Sequence, residues 1–190
     1  INIATEEQKR VIEGFKSQHR VLVEGGPGTG KTMCAGSEAI RIANEGKKVL
    51  YTCYNKRLAS MLKREMAPHS DNIDVHNIDE LMVSYVTDAL KHPPRLPEES
   101  WREGIIILAS DAITQLGLSE YYDAIIIDEG QDLLADNLME LILGSLLKGG
   151  ITEGCWRLFM DGGQNIFDAS EEDCFSRLKS YAQSQYSLNL

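Results

Sequence analysis

The sequence lacks a long hydrophobic run. No stretch approaches the about 18 consecutive apolar residues that a helix needs to cross a bilayer. The first ten residues also lack the charged-then-apolar pattern of a secretory signal. We therefore predict no contact with a membrane and a cytoplasmic location. The chain begins with Ile1 rather than Met, so we expect it to start inside a longer protein.

An excess of basic residues is also missing, because the net charge is −10. Proteins that coat nucleic acid in a general way carry a basic excess, so this composition argues against that class. A local basic groove remains compatible with the total, since electrostatic steering depends on where the charges sit.

Cysteine is scarce and scattered. The chain has Cys34, Cys53, Cys155 and Cys174, and it has no C-x-x-C pair. This spacing does not favour a zinc site and indicates free thiols in a reducing cytoplasm.

Strand-like and helix-like segments alternate along the chain. The predicted strands are 21–24, 48–53, 72–76, 123–128, 156–161 and 186–190, and the predicted helices are 5–17, 31–44, 55–66, 77–90, 98–116, 133–148 and 171–182. Residues 105–107, three isoleucines, leave a short strand open as an alternative. The alternation predicts one α/β domain over 1–190, with three layers and a mostly parallel central sheet.

A glycine-rich loop follows the first strand. Residues 21–32 read VLVEGGPGTGKT, and they match the Walker A pattern G-x-x-x-x-G-K-[ST]. Such a loop points backbone N–H groups at phosphate oxygens and adds the positive end of a helix dipole. We predict that it binds ATP with Mg²⁺, with Lys31 on the β- and γ-phosphates and Thr32 on the metal ion. The predicted nucleotide-binding residues of this loop are Gly25, Gly26, Pro27, Gly28, Thr29, Gly30, Lys31 and Thr32.

Two acids, Asp128 and Glu129, end the apolar strand 123–128. Packing does not explain them, because charged side chains are rarely buried unpaired. In a Walker A protein we expect this strand beside the phosphate-loop strand. Asp128 would then hold Mg²⁺, and Glu129 would orient and polarise the attacking water.

A third polar cluster, DGGQ, follows the strand 156–161. Ligand groups gather at the carboxyl ends of strands in open parallel sheets. Gln164 is therefore predicted near the γ-phosphate, where it would report the presence of that group. A polar turn, which the two glycines also favour, is the alternative.

The helix 55–66 carries a basic stripe. At 100° per residue, Lys56, Arg57, Lys63 and Arg64 fall within an arc of about 120°. A solvated face and a contact surface for a phosphate backbone both explain this stripe. The predicted apolar side consists of Leu58, Met61, Leu62 and Met66.

The order of these motifs resembles the first RecA-like lobe of superfamily 1 helicases, the UvrD/Rep group. GGPGTGKT is similar to motif I. IIIDEGQD is similar to motif II, with Gly130 where Ala is usual, and LFMDGGQNIF resembles motif III, with Met160 and Asn165 as departures. ATEEQKRVI resembles the Q motif, LYTCYNKRLASML motif Ia, and VHNIDEL the later HSF-type motif.

The resemblance implies a RecA-like P-loop NTPase lobe that couples ATP hydrolysis to translocation on single-stranded DNA. It places Gln8 on the adenine edge, although Thr5 and Gln8 also have capping-box spacing, and both roles cannot hold fully at once. Its implied catalytic residues are Lys31, Glu129 and Gln164. With the basic stripe, it implies strand contacts by Tyr54, Asn55, Lys56, Arg57 and His76.

The chain also departs from the UvrD pattern. Only 85–122 is available for the accessory subdomain, so the chain looks more like shorter UvrD-like helicases that are often joined to nuclease-related domains. It ends at Leu190, where motif IV would begin, and we expect a second RecA-like lobe C-terminal to Leu190 in the parent chain. Without that lobe's arginine, we expect nucleotide binding, slow hydrolysis and no unwinding.

The acidic net charge motivates an alternative function, a P-loop ATPase switch or signalling module that does not act on nucleic acid. A small-molecule kinase is a third hypothesis, but the sequence shows no convincing basic lid segment.

Overall fold

A six-stranded parallel sheet with helices on both faces forms the protein. The computed structural model describes residues 5–69, 71–134, 137–161 and 168–189. The strands are β1 (Arg20–Gly25), β2 (Val49–Cys53), β3 (Ile73–Asn77), β4 (Ala124–Asp128), β5 (Cys155–Met160) and β6 (Ser184–Leu188). The helices are α1 (Glu6–Gly14), α2 (Lys31–Asn44), α3 (Lys56–Met66), α4 (Ile78–Leu90), α5 (Trp101–Gln115), α6 (Gly150–Glu153) and α7 (Ala169–Tyr181). The predicted α/β class is confirmed.

The strand order is β3-β2-β4-β5-β1-β6, with parallel pairing throughout. β5 therefore lies between β1 and β4, and the prediction that the acid-bearing strand lies beside the phosphate-loop strand is wrong. Both β4 and β5 are almost wholly buried apolar strands, and such strands suit any central position of a parallel sheet. Their pattern alone does not say which of them pairs with β1.

The alternation of side chains along each strand divides the core into two layers. Val21 and Val23 of β1 pack with α1, α2 and α3 on one face, and Leu22 packs with α4, α5 and α7 on the other. Residues 105–107 lie within α5, so the alternative of a short strand is excluded. No helix in the described ranges is both long enough and apolar enough to cross a bilayer.

The helix predicted at 133–148 differs from the structure. The described part of this range holds a 3₁₀ turn (Gly130–Leu133), which begins before it, and a π-helical segment (Met139–Gly144). A Cβ at Gly144 would lie 3.1 Å from Cγ1 of Ile151 and 3.2 Å from the carbonyl oxygen of Met139. Glycine therefore lets the wider π turn pack closely against α6.

The apolar side predicted for α3 also needs one correction. Leu62 and Met66 are buried as predicted, but Met61 is exposed and Ala59 is buried in its place. Positions 59, 62 and 66 follow the i, i+3, i+7 spacing of one helix face, so the sheet selects this slightly rotated face.

Candidate active site

The phosphate loop joins β1 to α2 at the carboxyl edge of the sheet. Gly28 (φ 78°) and Gly30 (φ 89°) adopt left-handed conformations that favour glycine. Gly30 caps α2 without any side-chain hydrogen bond, so N–H groups of the first turn remain available to an acceptor. A Cβ at Gly26 or Gly28 would meet no atom within 4 Å. The loop therefore offers an open, amide-lined surface at a helix N-terminus, which suits an anion.

Lys31 folds back onto this loop. Its Nζ donates to the carbonyl oxygens of Gly25 at 2.7 Å and Gly26 at 3.0 Å, and the residue is only 6% exposed. No carboxylate among the described residues forms an ion pair with it. A phosphate oxygen carries a full negative charge and attracts the ammonium more strongly than a neutral carbonyl oxygen does, so a phosphate group would compete well for Lys31.

Gln8 braces the same loop from α1. Its Nε2 donates to the carbonyl oxygen of Thr29 at 2.8 Å, while its Oε1 accepts from the backbone N–H of Thr5 at 2.9 Å. The predicted capping box is therefore formed. A Cβ at Gly30 would lie 2.2 Å from Nε2 of Gln8. Each end of the amide has one partner here and can make one more hydrogen bond; the adenine role stays a prediction.

Asp128 ends β4 and lies against the first turn of α2, although β5 separates β4 from β1. Its carboxylate is fully buried and accepts a hydrogen bond from the hydroxyl of Tyr51 at 3.1 Å, and the Thr32 side chain lies close enough to favour the ionised form. Burial raises the pKa of Asp128, and the nearby Thr32 and Tyr51 side chains act in the opposite direction. The structure thus brings together Thr32 and Asp128, the two residues predicted to hold a metal ion.

Tyr51 is a site residue that the sequence analysis missed. It is fully buried in β2, and burial followed by the charge of Asp128 raises its pKa well above the ordinary value. Its hydroxyl is therefore a neutral donor to Asp128. A buried tyrosine hydroxyl needs a partner, so a tyrosine inside a predicted core strand was the available signal.

Glu129 adopts a left-handed backbone (φ 53°) directly after β4. Non-glycine residues in this region store strain that is common at functional sites. Its Oε2 accepts from Nε2 of Gln131 at 2.8 Å, and Oε1 of Gln131 accepts from the backbone N–H of Asp161 at 3.1 Å. Gln131, which the sequence analysis also missed, thus connects the acid pair to the end of β5. Gln164 lies outside the described residues.

Gly130 follows the acid pair and is fitted to β5. A Cβ at this position would lie 2.0 Å from Cδ1 of Leu158. The departure from the usual Ala is therefore matched by a leucine that occupies the space of the missing methyl group.

The residues predicted to contact a nucleic-acid strand lie at the carboxyl ends of β2 and β3. Tyr54, Asn55, Lys56 and Arg57 are exposed. Asn55 also caps α3 by accepting from the backbone N–H groups of Arg57 and Leu58. His76 is half-buried in β3, and burial, followed by the charge of Lys63, lowers its pKa.

Asn77 was missed by the sequence analysis and organises this edge. It is fully buried, donates to the carbonyl oxygen of Tyr54, and caps α4 by accepting from the N–H groups of Asp79 and Glu80. The loop after β2 is thereby tied to the start of α4.

The chemistry of the site suits a magnesium-bound nucleoside triphosphate. Amide donors and the Lys31 ammonium suit phosphate oxygens. The Thr32 hydroxyl lies beside Asp128, which is buried and pairs with no cation in the described part of the chain, and the two offer oxygen ligands of the kind that Mg²⁺ accepts. When bound, Mg²⁺ neutralises charge that develops on the transferred phosphate.

Comparison with known proteins places the chain among helicase domains. The family model "Schlafen group 3, DNA/RNA helicase domain" matches residues 18–183. No curated protein sequence matches the chain significantly. Among solved structures, the Pif1 helicase from Candida albicans is 21% identical with a TM-score of 0.57, over 100% of this chain and 40% of that one. A KaiC-like protein from Pyrococcus horikoshii OT3 is 18% identical with a TM-score of 0.50, over 90% of this chain and 73% of that one. These likenesses show the P-loop ATPase fold.

Proposed function

The chain belongs to the Schlafen group 3 DNA/RNA helicase domain family, and from this premise we propose that it is the ATP-binding lobe of a helicase that couples ATP hydrolysis to movement along single-stranded DNA. The observation that carries the proposal is the meeting of Thr32, from the phosphate loop, with Asp128, from the end of β4. Two sequence-distant polar groups meet there beside a helix N-terminus that has no side-chain cap, at the edge where parallel sheets bind ligands.

Each residue of the site has one proposed task. The loop amides and Lys31 hold the phosphates, and Thr32 and Asp128 hold Mg²⁺. Glu129, held through Gln131, orients and polarises the attacking water. Gln164 couples loss of the γ-phosphate to movement of the lobe, and Gln8 reads the adenine edge.

The parent protein supplies the remaining parts in this proposal. We propose that the parent protein resembles UvrD/Rep enzymes in detail. It would then carry a second RecA-like lobe C-terminal to Leu190 and a fused nuclease-related domain. An arginine from the second lobe would contribute about 10³- to 10⁵-fold in rate, as in related phosphoryl-transfer systems. The chain by itself would therefore bind nucleotide and hydrolyse it slowly.

Titration calorimetry with ATP and Mg²⁺ tests the nucleotide part. We expect saturable uptake by the chain and a clear loss of the Mg²⁺-dependent part of the affinity in Asp128→Asn. Absence of uptake at millimolar nucleotide would refute the proposal.

A salt titration of single-stranded DNA binding tests the nucleic-acid part. A plot of the logarithm of the affinity against the logarithm of the salt concentration has a negative slope of about 0.7 for each phosphate contacted. Lys56→Ala with Arg57→Ala should therefore flatten the slope by about 1.4. Lys16→Ala with Lys47→Ala, which removes the same charge at the opposite edge of the sheet, should leave the slope unchanged.

The same salt titration also tests the second candidate function, a P-loop ATPase switch that does not act on nucleic acid. The net charge of −10 favours this candidate. Uptake of ATP together with no salt-dependent DNA binding would select it.

A further inference from the structure

A groove of about 410 Å³ lies beside the carboxyl ends of β2 and β3, away from the phosphate loop. Its lining comes from α3, α4 and α5 and consists of Lys56, Asp79, Glu80, Val83, Ser84 and Trp101. Trp101 is 38% exposed. The groove thus combines an aromatic surface, an apolar wall and one ammonium group.

The proline-rich segment 91–97 and the turn after it carry Trp101 to this edge. Leu96 packs against Gly104, where a Cβ would lie 2.9 Å from Cδ2 of Leu96. Arg102 at the start of α5 pairs with Asp79 at the start of α4 at 2.5 Å. Both helices therefore begin at the same edge of the sheet, and Trp101 is held next to the loop after β2.

A second exposed aromatic ring lies close by. Tyr54 is 42% exposed, and the guanidinium of Arg102 lies 5.8 Å from the centre of its ring. Asn77 fixes the backbone of Tyr54 through its carbonyl oxygen. Two planar side chains, Tyr54 and Trp101, are thus presented on an ordered framework around one guanidinium.

The groove has one cation with no carboxylate partner among the described residues. Its two acids already face cations, because Asp79 pairs with Arg102 and Glu80 lies 3.9 Å from Lys63. Lys56, by contrast, forms no ion pair among the described residues. A ligand with a flat apolar group and a neighbouring negative charge is complementary to this surface.

We propose that this groove stacks one base of a single-stranded nucleic acid on Trp101, with Lys56 contacting the adjacent phosphate. The inference rests on the proposed function and deepens it. In this proposal, both the segment 91–102 and the loop after β2 contact the nucleic acid. Stacking on an aromatic ring tolerates any base, so the groove contributes affinity rather than sequence choice.

Intrinsic fluorescence tests the proposal directly, because the chain has two tryptophans. Trp156 is fully buried and donates to the carbonyl oxygen of Ile151 at 2.8 Å, so a ligand in the groove reaches Trp101 alone. We expect quenching of the exposed tryptophan as the 190-residue chain is titrated with oligothymidylate, and protection of that tryptophan from acrylamide.

Variants measure the contribution of the ring. Trp101→Ala should weaken oligonucleotide binding by about 5- to 150-fold, the range found for one stacked base, and Trp101→Phe should retain most of the affinity. Ile107→Ala, which removes a 62%-exposed side chain from the same helix, should bind like the unaltered chain. Affinity for ATP with Mg²⁺ should be equal in all three variants.

The outcomes separate this inference from the function on which it rests. Oligonucleotide binding with unchanged tryptophan emission and an unaffected Trp101→Ala variant overturns the stacking groove and leaves the proposed function in place. Uptake of ATP without any oligonucleotide binding overturns both the groove and the nucleic-acid part of the function. Should Trp101→Ala fold poorly, the emission and acrylamide data on the unaltered chain still decide.

Discussion

Buried charges are paired with an opposite charge at one edge of the sheet and not at the other. Near the amino ends of the strands, Arg157 of β5 and Glu38 of α2 form an ion pair at 2.9 Å, and each residue is 1% exposed. At the carboxyl ends, Asp128 is as deeply buried, but no cation among the described residues pairs with it. The contrast distinguishes a charge that the fold satisfies from one that a ligand must satisfy.

The amino-edge pair is saturated by protein groups. Arg157 also donates to the carbonyl oxygens of His19, Trp156 and Phe15, and Glu38 accepts two hydrogen bonds from Arg41. A cavity of about 250 Å³ adjoins this cluster. Its arginines are already paired, so we assign no ligand to it.

The carboxyl edge is left unsaturated. Within the described ranges, Asp128 accepts from the neutral hydroxyl of Tyr51 and the backbone N–H of Glu129, and Lys31 donates to two carbonyl oxygens and forms no ion pair. Burying a charge without a counter-charge costs stability. The fold bears that cost where a metal ion and phosphates would remove it.

Arg157→Ala should produce the largest effect. Loss of the guanidinium leaves the buried carbonyl oxygens of His19 and Phe15 without their donor and Glu38 with Arg41 as its one remaining partner among the described residues. We expect the free energy of unfolding to fall by about 3–5 kcal/mol, measured by urea denaturation. Replacing both partners, Glu38→Leu with Arg157→Met, should recover part of the loss, because it removes the buried charges but still leaves the carbonyl oxygens of His19 and Phe15 without their donor. A loss below 1 kcal/mol in the single variant would show that the pair is not structural.

Lys31→Ala should show the reverse pattern. Ammonium–phosphate hydrogen bonds are worth about 1.5–3 kcal/mol, so calorimetry should show a 10- to 150-fold weaker affinity for ATP (about one decade per 1.4 kcal/mol), with little change in unfolding. Lys47→Ala, an exposed lysine at the amino edge, is the control and should bind normally. Equal binding by both variants would contradict the proposed role of Lys31.

Tyr51→Phe should have a smaller, metal-specific effect. Loss of one hydrogen bond to Asp128 should weaken Mg²⁺ binding to the nucleotide complex by about 2- to 10-fold, corresponding to about 0.5–1.5 kcal/mol. Nucleotide binding without Mg²⁺ should not change. Tyr122→Phe is the matched control, since its hydroxyl donates to Asp74 at 2.8 Å, outside the site. A similar metal effect in both variants would argue against a positioning role for Tyr51.

The pH dependence of stability at His76 should be the smallest effect. Burial, followed by the charge of Lys63, lowers the pKa of His76 below the ordinary value of about 6.5. The unfolded chain therefore takes up the proton more readily than the folded one. Stability is complete above about pH 6.5 and falls as the pH drops below that value toward the folded-state pKa.

Thermal unfolding at pH 7.5, 6.5 and 5.5 measures this term. His76→Asn should lose less stability on acidification than the unaltered chain. The exposed-site variant His92→Asn should follow the unaltered chain. If stability falls equally with pH in the His76→Asn and His92→Asn variants, burial of His76 does not contribute to the pH dependence.

The local sequence pattern was sufficient to predict the fold class and the types of chemical group in the site. Alternating periodicity predicted the α/β layers, and the capping-box spacing of Thr5 and Gln8 predicted a contact that the structure contains. These features are encoded within a few residues, where backbone hydrogen bonding and side-chain period decide the outcome.

Long-range packing decided the rest. β5 separates the two halves of the site, Tyr51 and Gln131 hold the acid pair, and Trp101 reaches the edge of β2 and β3 only through the return of the segment 91–100. A single sequence shows which groups need a partner, because desolvation penalises any that lack one. It does not show which partner they find, because that depends on contacts between residues tens of positions apart that only the assembled sheet and helices create.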